Sequence, residues 1–381
     1  MRIVHFTSVH PRYDIRIFVK QCVTLAAAGH DVTLVVADGE GHEIDRAVRF
    51  YDIGLRGRSR LRRMTYTVSR LYKTVAALRP DIAHFHDPEL IPVALGLKQK
   101  GIKVIYDVHE DVPLQILAKH WIPPWLRPFL SRCVATLEHY AARRFDAIVV
   151  ATPTIRQRFS RLNSRVIDVC NYPILEEWEQ TVDWADRRNE VCYIGSIARI
   201  RGIQQIITAL LSTRVRLNLA GPWSEPDLRP LLTQQPGWSR VNEQGVVDRA
   251  GIVKILARSK IGLVTLLPSP NYVESLPIKL FEYMAAGVPV IASDFPLWRT
   301  IVETAGCGLL VDPADPSAIA AAIEQLLDDE DRAASMGHAG QRAVRQNYSW
   351  ARQADKLLQL YHGLEQGNER DNNRVNTIQQ R

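Results

Sequence analysis

Glu274-Ser275-Leu276-Pro277-Ile278-Lys279-Leu280-Phe281-Glu282-Tyr283-Met284-Ala285-Ala286-Gly287-Val288-Pro289-Val290-Ile291 reads as a loop, a short helix and a buried strand. Pro277 suits a helix start, where its missing N–H costs nothing. Gly287 suits the left-handed residue that ends a helix. The apolar run after it, Pro289 to Ala292, is β-branched and follows another such run at Gly262 to Leu266. Strand, helix, strand in this order implies a right-handed crossover and therefore a parallel sheet.

The alternation continues outward in both directions. Val191 to Ile194 and Leu217 to Ala220 are further strands of the same series. Asp315-Pro316 before an alanine-rich run reads as an N-cap followed by proline at the first helical position. An earlier series begins at Ile3 to Phe6 and continues through Val32 to Ala37, Ile82 to Phe85, Lys103 to Asp107, Ala147 to Val150 and Val166 to Val169. The expected fold class is α/β, with two facing Rossmann-like domains, parallel sheets and a cleft between them. The expected divisions are 1–172, a linker at 173–189, a second domain at 190–350, a helix at 351–364 packing back towards the first domain, and a disordered polar tail at 365–381.

The chain of 381 residues is long enough for two cores, and its 46% hydrophobic and 23% charged residues are ordinary for globular proteins. The net charge of +7 is N-terminal: residues 1–180 hold 26 Lys and Arg against 19 Asp and Glu, and the remainder holds 22 of each. Such a surface suits nucleic acid, anionic lipid or phosphorylated substrates. Five scattered cysteines without a C-x-x-C pair indicate neither a disulfide framework nor a zinc site, and a reducing compartment is expected. The N-terminus turns polar at Thr7-Ser8 and no stretch of 18 apolar residues occurs, so a cytoplasmic protein is expected.

The two glutamates of the opening segment stand eight residues apart, Glu274 before the helix and Glu282 inside it. The backbone amides of Ser275, Leu276 and Ile278 lie at the expected helix start, where unpaired N–H groups and the helix dipole attract an anion such as a diphosphate. Glu282 has the chemistry to accept both hydroxyls of a ribose, and Glu274 those of a sugar beyond the phosphates.

With its flanking residues this segment resembles the E-x7-E signature of glycosyltransferase family 4, whose members have the GT-B fold; the resemblance extends over most of residues 1–362. It implies that Glu274 contacts the donor sugar and Glu282 the nucleotide ribose. A second family element is the turn Tyr193-Ile194-Gly195-Ser196-Ile197-Ala198-Arg199-Ile200-Arg201-Gly202. The family usually has arginine after the first glycine and lysine before the second, whereas this chain has Ser196 and Arg201. Arg199 is a candidate for the missing charge, and Lys279 for a phosphate or an acidic group on the sugar. Gly195, Gly221 and Pro277 complete the expected donor set.

In Val104-Ile105-Tyr106-Asp107-Val108-His109 a histidine stands where a strand ends, the usual place of ligand sites in open α/β sheets. The resemblance places His109 beside the donor sugar. His84 and His86 are read as lying on opposite sides of a strand, unable to share a metal, and therefore as structural or as supporting the site residues from behind. The loop from Thr7 to Arg16 lacks the family's frequent glycine pair and resembles a bacterial polysaccharide-assembly branch. His10, Tyr13, Asp14 and Arg16 are its acceptor-side candidates, a local Asp14–Arg16 ion pair at a helix start being the equal alternative.

The resemblance implies a hexosyltransferase that retains anomeric configuration, needs no metal or other cofactor, and uses a nucleoside diphosphate sugar, UDP favoured over GDP. The departing phosphate itself would take the acceptor's proton. Asp328-Asp329-Glu330-Asp331 is read as a solvated helix end and not as a metal-binding D-x-D site. Arg56, Arg58, Arg60, Arg62 and Arg63, with Trp121 and Trp125, suggest contact with an anionic membrane surface and a lipid-linked saccharide acceptor at the inner face of the cell membrane. Nucleic acid is not expected, since no recognition module accompanies the short basic run. A sugar-nucleotide epimerase and a non-catalytic nucleotide-sugar-binding subunit are the alternatives. A dehydrogenase is disfavoured because no G-x-G-x-x-G follows Ile3 to Phe6.

Overall fold

The computed structural model describes residues 1–57, 59–119, 122–178 and 182–379, with side chains as far as Gln366. The chain forms two compact units, one of Met1–Asn171 joined by the residues from Ala351 onward, the other of Tyr172–Trp350.

The first unit holds β1 (Arg2–Phe6), β2 (Asp31–Val36), β3 (Glu43–Asp45), β4 (Val48–Asp52), β5 (Ile82–Phe85), β6 (Lys103–Val108), β7 (Ala147–Val150) and β8 (Val166–Asp168). Their spatial order is β3-β4-β2-β1-β5-β6-β7-β8. Every pairing is parallel except β3 with β4. β5 and β7 are buried along their whole length, the pattern of a sheet covered on both faces. Phe85 and Tyr106, stacked 4.5 Å apart on adjacent strands, anchor one face.

The β3–β4 hairpin is absent from the expected strands. Its turn uses Arg46 and Ala47 at positive φ, 45° and 62°, a conformation that glycine or asparagine usually signals. No such residue stands there.

The second unit holds β9 (Arg188–Ile194), β10 (Arg216–Ala220), β11 (Val241–Gly245), β12 (Ser259–Val264), β13 (Val290–Ser293) and β14 (Gly308–Val311), in the order β11-β10-β9-β12-β13-β14 and all parallel. Its core includes Tyr193, Leu219, Leu263 and Ile291. In each sheet the order reverses once, between β1 and β5 and between β9 and β12. These reversals open crevices at the strands' C-terminal ends, where α/β sheets bind ligands.

Segment 173–189 is part of the second unit and not a free linker. Leu175–Trp178 and Trp184–Asp186 are 3-10 turns, and β9 has begun by Arg188. The last helix, Trp350–Gln379, belongs to the first unit from Ala351. Gln353, Leu357, Tyr361 and Leu364 recur at helical spacing on its buried side. The expected irregular tail is therefore incorrect as far as Gln379: no proline interrupts residues 365–379, and a helix already nucleated by a buried face propagates readily.

Candidate functional site

In the second unit the turn after β9 is shaped by glycine. Gly195 has φ 133° and Gly221 φ 141°; a Cβ on Gly221 would stand 2.0 Å from the Gly195 carbonyl oxygen. Two loops at the strand ends thus pass closer than any side chain permits. Lys279, in the second position of the helix Ile278–Ala285, reaches this turn, with Nζ 3.0 Å from where a Gly195 Cβ would lie. The amine rests 3.5 Å from the centroid of the Tyr193 ring and has no hydrogen-bond acceptor. Arg201 stacks over Tyr272 at 4.6 Å and forms no ion pair among the described residues.

Several donor-side expectations change. Arg199 is held by Glu225 and Asp227, so the guanidinium proposed to replace a charge at Ser196 is already neutralised. Ser196 Oγ hydrogen-bonds Ser224 Oγ. Of the three amides expected to face an anion, that of Ser275 donates to the Tyr272 carbonyl at 3.1 Å. Glu282 Oε1 accepts from Arg249 at 2.6 Å, and Arg249 also pairs with Glu177. The carboxylate is thereby fixed in orientation before any ligand arrives. Glu274 lies exposed just after the turn Pro270–Val273, outside the helix as expected.

In the first unit the centre is Asp107, fully buried near the end of β6. Arg16 donates to both its oxygens, at 3.0 and 2.6 Å, and Gln21 to Oδ2 at 2.8 Å. Arg16 is therefore an internal counter-ion and not an acceptor ligand. The local Asp14–Arg16 ion pair is also absent: Asp14 caps the helical segment Ile15–Cys22 by accepting from the backbone of Arg16 and Ile17, while its other oxygen faces His10 at 3.3 Å.

Burial alone would raise the Asp107 carboxyl, but Arg16 first and then His109 hold it well below the usual carboxylate range. An ionised Asp107 only accepts, and this dictates the tautomers behind it. His86 donates Nδ1–H to Oδ2 at 3.1 Å. Its Nε2 must then accept from His5 Nδ1–H at 3.0 Å, and His5 Nε2 from the Tyr361 hydroxyl at 3.2 Å. The Tyr361 oxygen in turn accepts from His84 Nδ1–H at 2.8 Å. Burial holds His86 down at about 3 and pushes His5 and His84 well below the imidazole range, so the chain is neutral.

The expectation for His84 and His86 is wrong in its geometry: residues two apart on a strand share a face, and the rings stack 4.9 Å apart. With Asp107 they present ligand atoms within 4.8 Å of one another. Arg16 already supplies the positive charge that a metal would bring there.

His109 Nε2 lies 3.2 Å from Asp107 Oδ2. In its neutral form a ring donating Nε2–H there keeps the Nδ1 lone pair as an acceptor. Its ring packs 4.8 Å from that of His10, which is flanked by Asp14 and Asp87. Burial works against charge on His10, yet the Asp14 hydrogen bond and Asp87 raise it above the ordinary imidazole value. Asp87 also receives the Thr7 hydroxyl and the Ser8 amide, and Ser8 and Arg63 reach Glu89. This lattice of side chains holds the first loop in place of glycines. Tyr13 donates its hydroxyl to Glu43 at 2.7 Å and packs on Phe18 and Phe50.

Of the basic run, Arg63 is neutralised by Glu89 and Arg56 donates to the Val9 carbonyl. Arg60 and Arg62 are exposed, as is Trp125 at 78%. Arg58 and Trp121 lie outside the described residues. Among the described residues no helix is long and apolar enough to cross a membrane. Asp329 caps the helix Glu330–Asn347, while Asp328 and Glu330 pair with Arg214 and Lys260, so these residues organise a helix junction. Four of the five cysteines are buried and Cys133 is exposed.

Arg249, Glu177, Tyr193, Asp107 and Tyr361 were not picked out by sequence reasoning. Asp107, two residues before His109, is the one among them with a local signal.

Residues 16–171 match the family described as glycosyl transferase 4-like domain, and residues 175–343 that described as glycosyl transferases group 1. The phosphatidyl-myo-inositol mannosyltransferase of Mycobacterium leprae is 38% identical over 296 residues, covering 74% of this chain and 73% of that protein. The glycogen synthase of Mycobacterium tuberculosis is 23% identical over 305 residues, covering 76% and 70%. Among solved structures, sucrose-phosphate synthase from Thermosynechococcus elongatus superposes with a TM-score of 0.78 at 20% identity, over 96% of this chain and all of that one. Anabaena HepE in complex with UDP gives 0.72 at 13% identity, over 95% and 100%. Two parallel sheets of this order, with these relatives over both, show that the chain belongs to glycosyltransferase family 4 and has the two-domain GT-B fold.

Proposed function

We propose that the protein transfers a sugar, with retention, from a nucleoside diphosphate sugar to a lipid-linked saccharide at an anionic membrane surface, as a step in bacterial surface polysaccharide assembly. The observation that carries the reading is the placement of Glu274 and the oriented Glu282 around the helix start at Lys279, beside the glycine turn at the β9–β12 crevice. Retaining transfer builds positive charge on the sugar and negative charge on the leaving diphosphate. Preorganised groups of both signs stabilise that separation best in a site that need not reorganise. Glu274 orients the sugar, Glu282 the ribose, and the helix start with its neighbouring cations faces the phosphates, with no metal required. The leaving phosphate takes the acceptor's proton. In the first unit His109 offers its Nδ1 lone pair.

A uridine donor is favoured over a guanosine one, in keeping with HepE, which was solved with UDP. A lipid-linked acceptor is in keeping with the relative named phosphatidyl-myo-inositol mannosyltransferase. Exposed Leu55, Leu61, Met64 and Tyr66 alternate with Arg56, Arg60 and Arg62. Apolar side chains set among arginines suit peripheral docking on the cytoplasmic leaflet.

The test is transfer from radiolabelled UDP and GDP sugars to a bacterial lipid extract, with vesicles containing or lacking anionic lipid. Label is expected in the lipid fraction from a UDP sugar, more with anionic vesicles, and Glu274→Gln is expected to slow transfer on the order of 100-fold. An isomerised sugar nucleotide formed without acceptor would establish the epimerase instead, and binding without turnover the non-catalytic subunit.

A further inference from the structure

Glu274 stands on the stretch 265–277, which joins β12 to the helix Ile278–Ala285 and belongs to no strand. Several of its bonds are internal. The Ser269 hydroxyl accepts from the Tyr272 amide at 3.3 Å, and the Ser275 amide and hydroxyl both donate to the Tyr272 carbonyl, at 3.1 and 2.9 Å. Bonds of this kind give a loop its shape and not its place. The place is set from outside. At the root of the loop the Ser293 hydroxyl, at the end of β13, donates to the Leu266 carbonyl at 2.7 Å, and the Leu267 amide donates to the Ile200 carbonyl at 2.9 Å. Midway, Arg201 stacks over Tyr272. At the far end the Trp298 indole N–H donates to the Ser275 carbonyl at 2.7 Å.

Trp298 is fully buried in the first turn of the helix Pro296–Ala305 and packs on Phe295 with ring centroids 4.8 Å apart. A buried indole N–H needs an acceptor, and this one takes it from the residue next to Glu274. An indole has few side-chain torsions to lose, so once buried it is a stiff strut. We propose that Trp298 is a positioning residue for Glu274: its N–H fixes the Ser275 carbonyl and with it the point from which the Glu274 carboxylate reaches the donor sugar. This rests on the reading of Glu274 above as the group that orients that sugar.

The strut serves the sugar and not the nucleotide. Glu282 and Lys279 ride on the helix Ile278–Ala285, which Leu280, Phe281 and Met284 anchor in the core at 1% exposure or less. Release of the Ser275 carbonyl frees the loop in front of that helix and leaves the helix in place. Its effect therefore falls on turnover of a sugar nucleotide and spares binding of the nucleotide alone.

The experiment is a double-mutant cycle on the full chain, with transfer from labelled UDP sugars to the bacterial lipid extract as one readout and isothermal titration with UDP as the other. Trp298→Phe is expected to lower kcat about 10- to 100-fold, the scale of a misplaced reacting group, with UDP affinity within about twofold of the parent. In a Glu274→Gln background the same change costs no more than about twofold, because a residue that acts through another is not additive with it. Benzothienylalanine in place of Trp298 keeps the size of the ring, has sulfur for the N–H, and carries the same test if Trp298→Phe does not fold. Parental kcat in either Trp298 variant overturns the proposal, as does a loss of equal size with and without Glu274. A slow Glu274→Gln beside a fast Trp298→Phe rejects this inference and keeps the donor reading. A parental rate in Glu274→Gln, or a parent protein that neither binds UDP nor transfers from any sugar nucleotide, rejects both.

Discussion

In the first unit Asp107 sits at the end of β6 with Arg16 against both oxygens and a relay of neutral imidazoles leading from it to Tyr361. In the second, Lys279 stands at the corresponding end of its sheet with an aromatic face and a second cation for company. The two loci share a location in similar folds and differ in completeness. Where every charge is answered from within, the arrangement positions neighbours such as His109. Where a charge is left unanswered, only the ring of Tyr193 stands against the amine.

The contrast is broken most forcefully at Arg16. Arg16→Met leaves Asp107 buried without its counter-ion and is expected to destabilise the first unit by about 3–5 kcal/mol, read by urea denaturation. A cost below about 1 kcal/mol would mean that Gln21 and the histidines suffice, and that the pair is not what closes the centre.

A smaller effect is expected from pH. Burial would raise the Asp14 carboxyl, but the hydrogen bonds from His10 and the Ile17 amide hold it at about 2, below the ordinary 3.8, while His10 is raised above 6.5. The Asp14 contribution is complete above pH 3.8 and is lost as pH falls through about 2. That of His10 is complete below 6.5 and is lost as pH rises through its folded value. Stability from the pair therefore peaks between these limits, by roughly 2 kcal/mol. Asp14→Asn should flatten both limbs of the melting temperature against pH, and unchanged limbs would remove the pair from the account.

Tyr361→Phe, at the far end of the relay, deprives His5 and His84 of a partner. A loss of about 1–2 kcal/mol is expected, with nitrogen NMR shifts showing His5 still protonated at Nδ1, because Asp107 sets that tautomer through His86. A switch of His5 to the Nε2–H form would show that the relay does not order its protons from Asp107.

The smallest effect, and the one of opposite sense, belongs to Lys279→Met. Replacing an uncompensated buried amine by an apolar chain of similar length is expected to leave the ligand-free melting temperature unchanged or raised by a degree or two, on the order of 0.5 kcal/mol. A clear drop would show that Lys279 is compensated after all, and the difference between the two centres would disappear.

Much of this was legible in the chain because the signals are local. The alternation of apolar runs and helical segments, the Gly287 stop and the spacing of Glu274 and Glu282 depend on backbone chemistry within a few residues. The β3–β4 turn was not legible, since Arg46 and Ala47 adopt a glycine-like conformation without glycine. β11 was missed because its sequence, Val241-Asn242-Glu243-Gln244-Gly245, carries little apolar signal. Arg199 looked like a free phosphate ligand because Glu225 and Asp227 lie beyond the span of its turn.

The sequence by itself determined two α/β units, the helix that presents Lys279, and the family to which these belong. Only the tertiary structure decided which charges were already matched. Arg16 finds Asp107 across 91 positions and His84 finds Tyr361 across 277. Propensity and periodicity are written in neighbouring residues, whereas compensation of a buried charge depends on whatever the fold brings within about 3 Å.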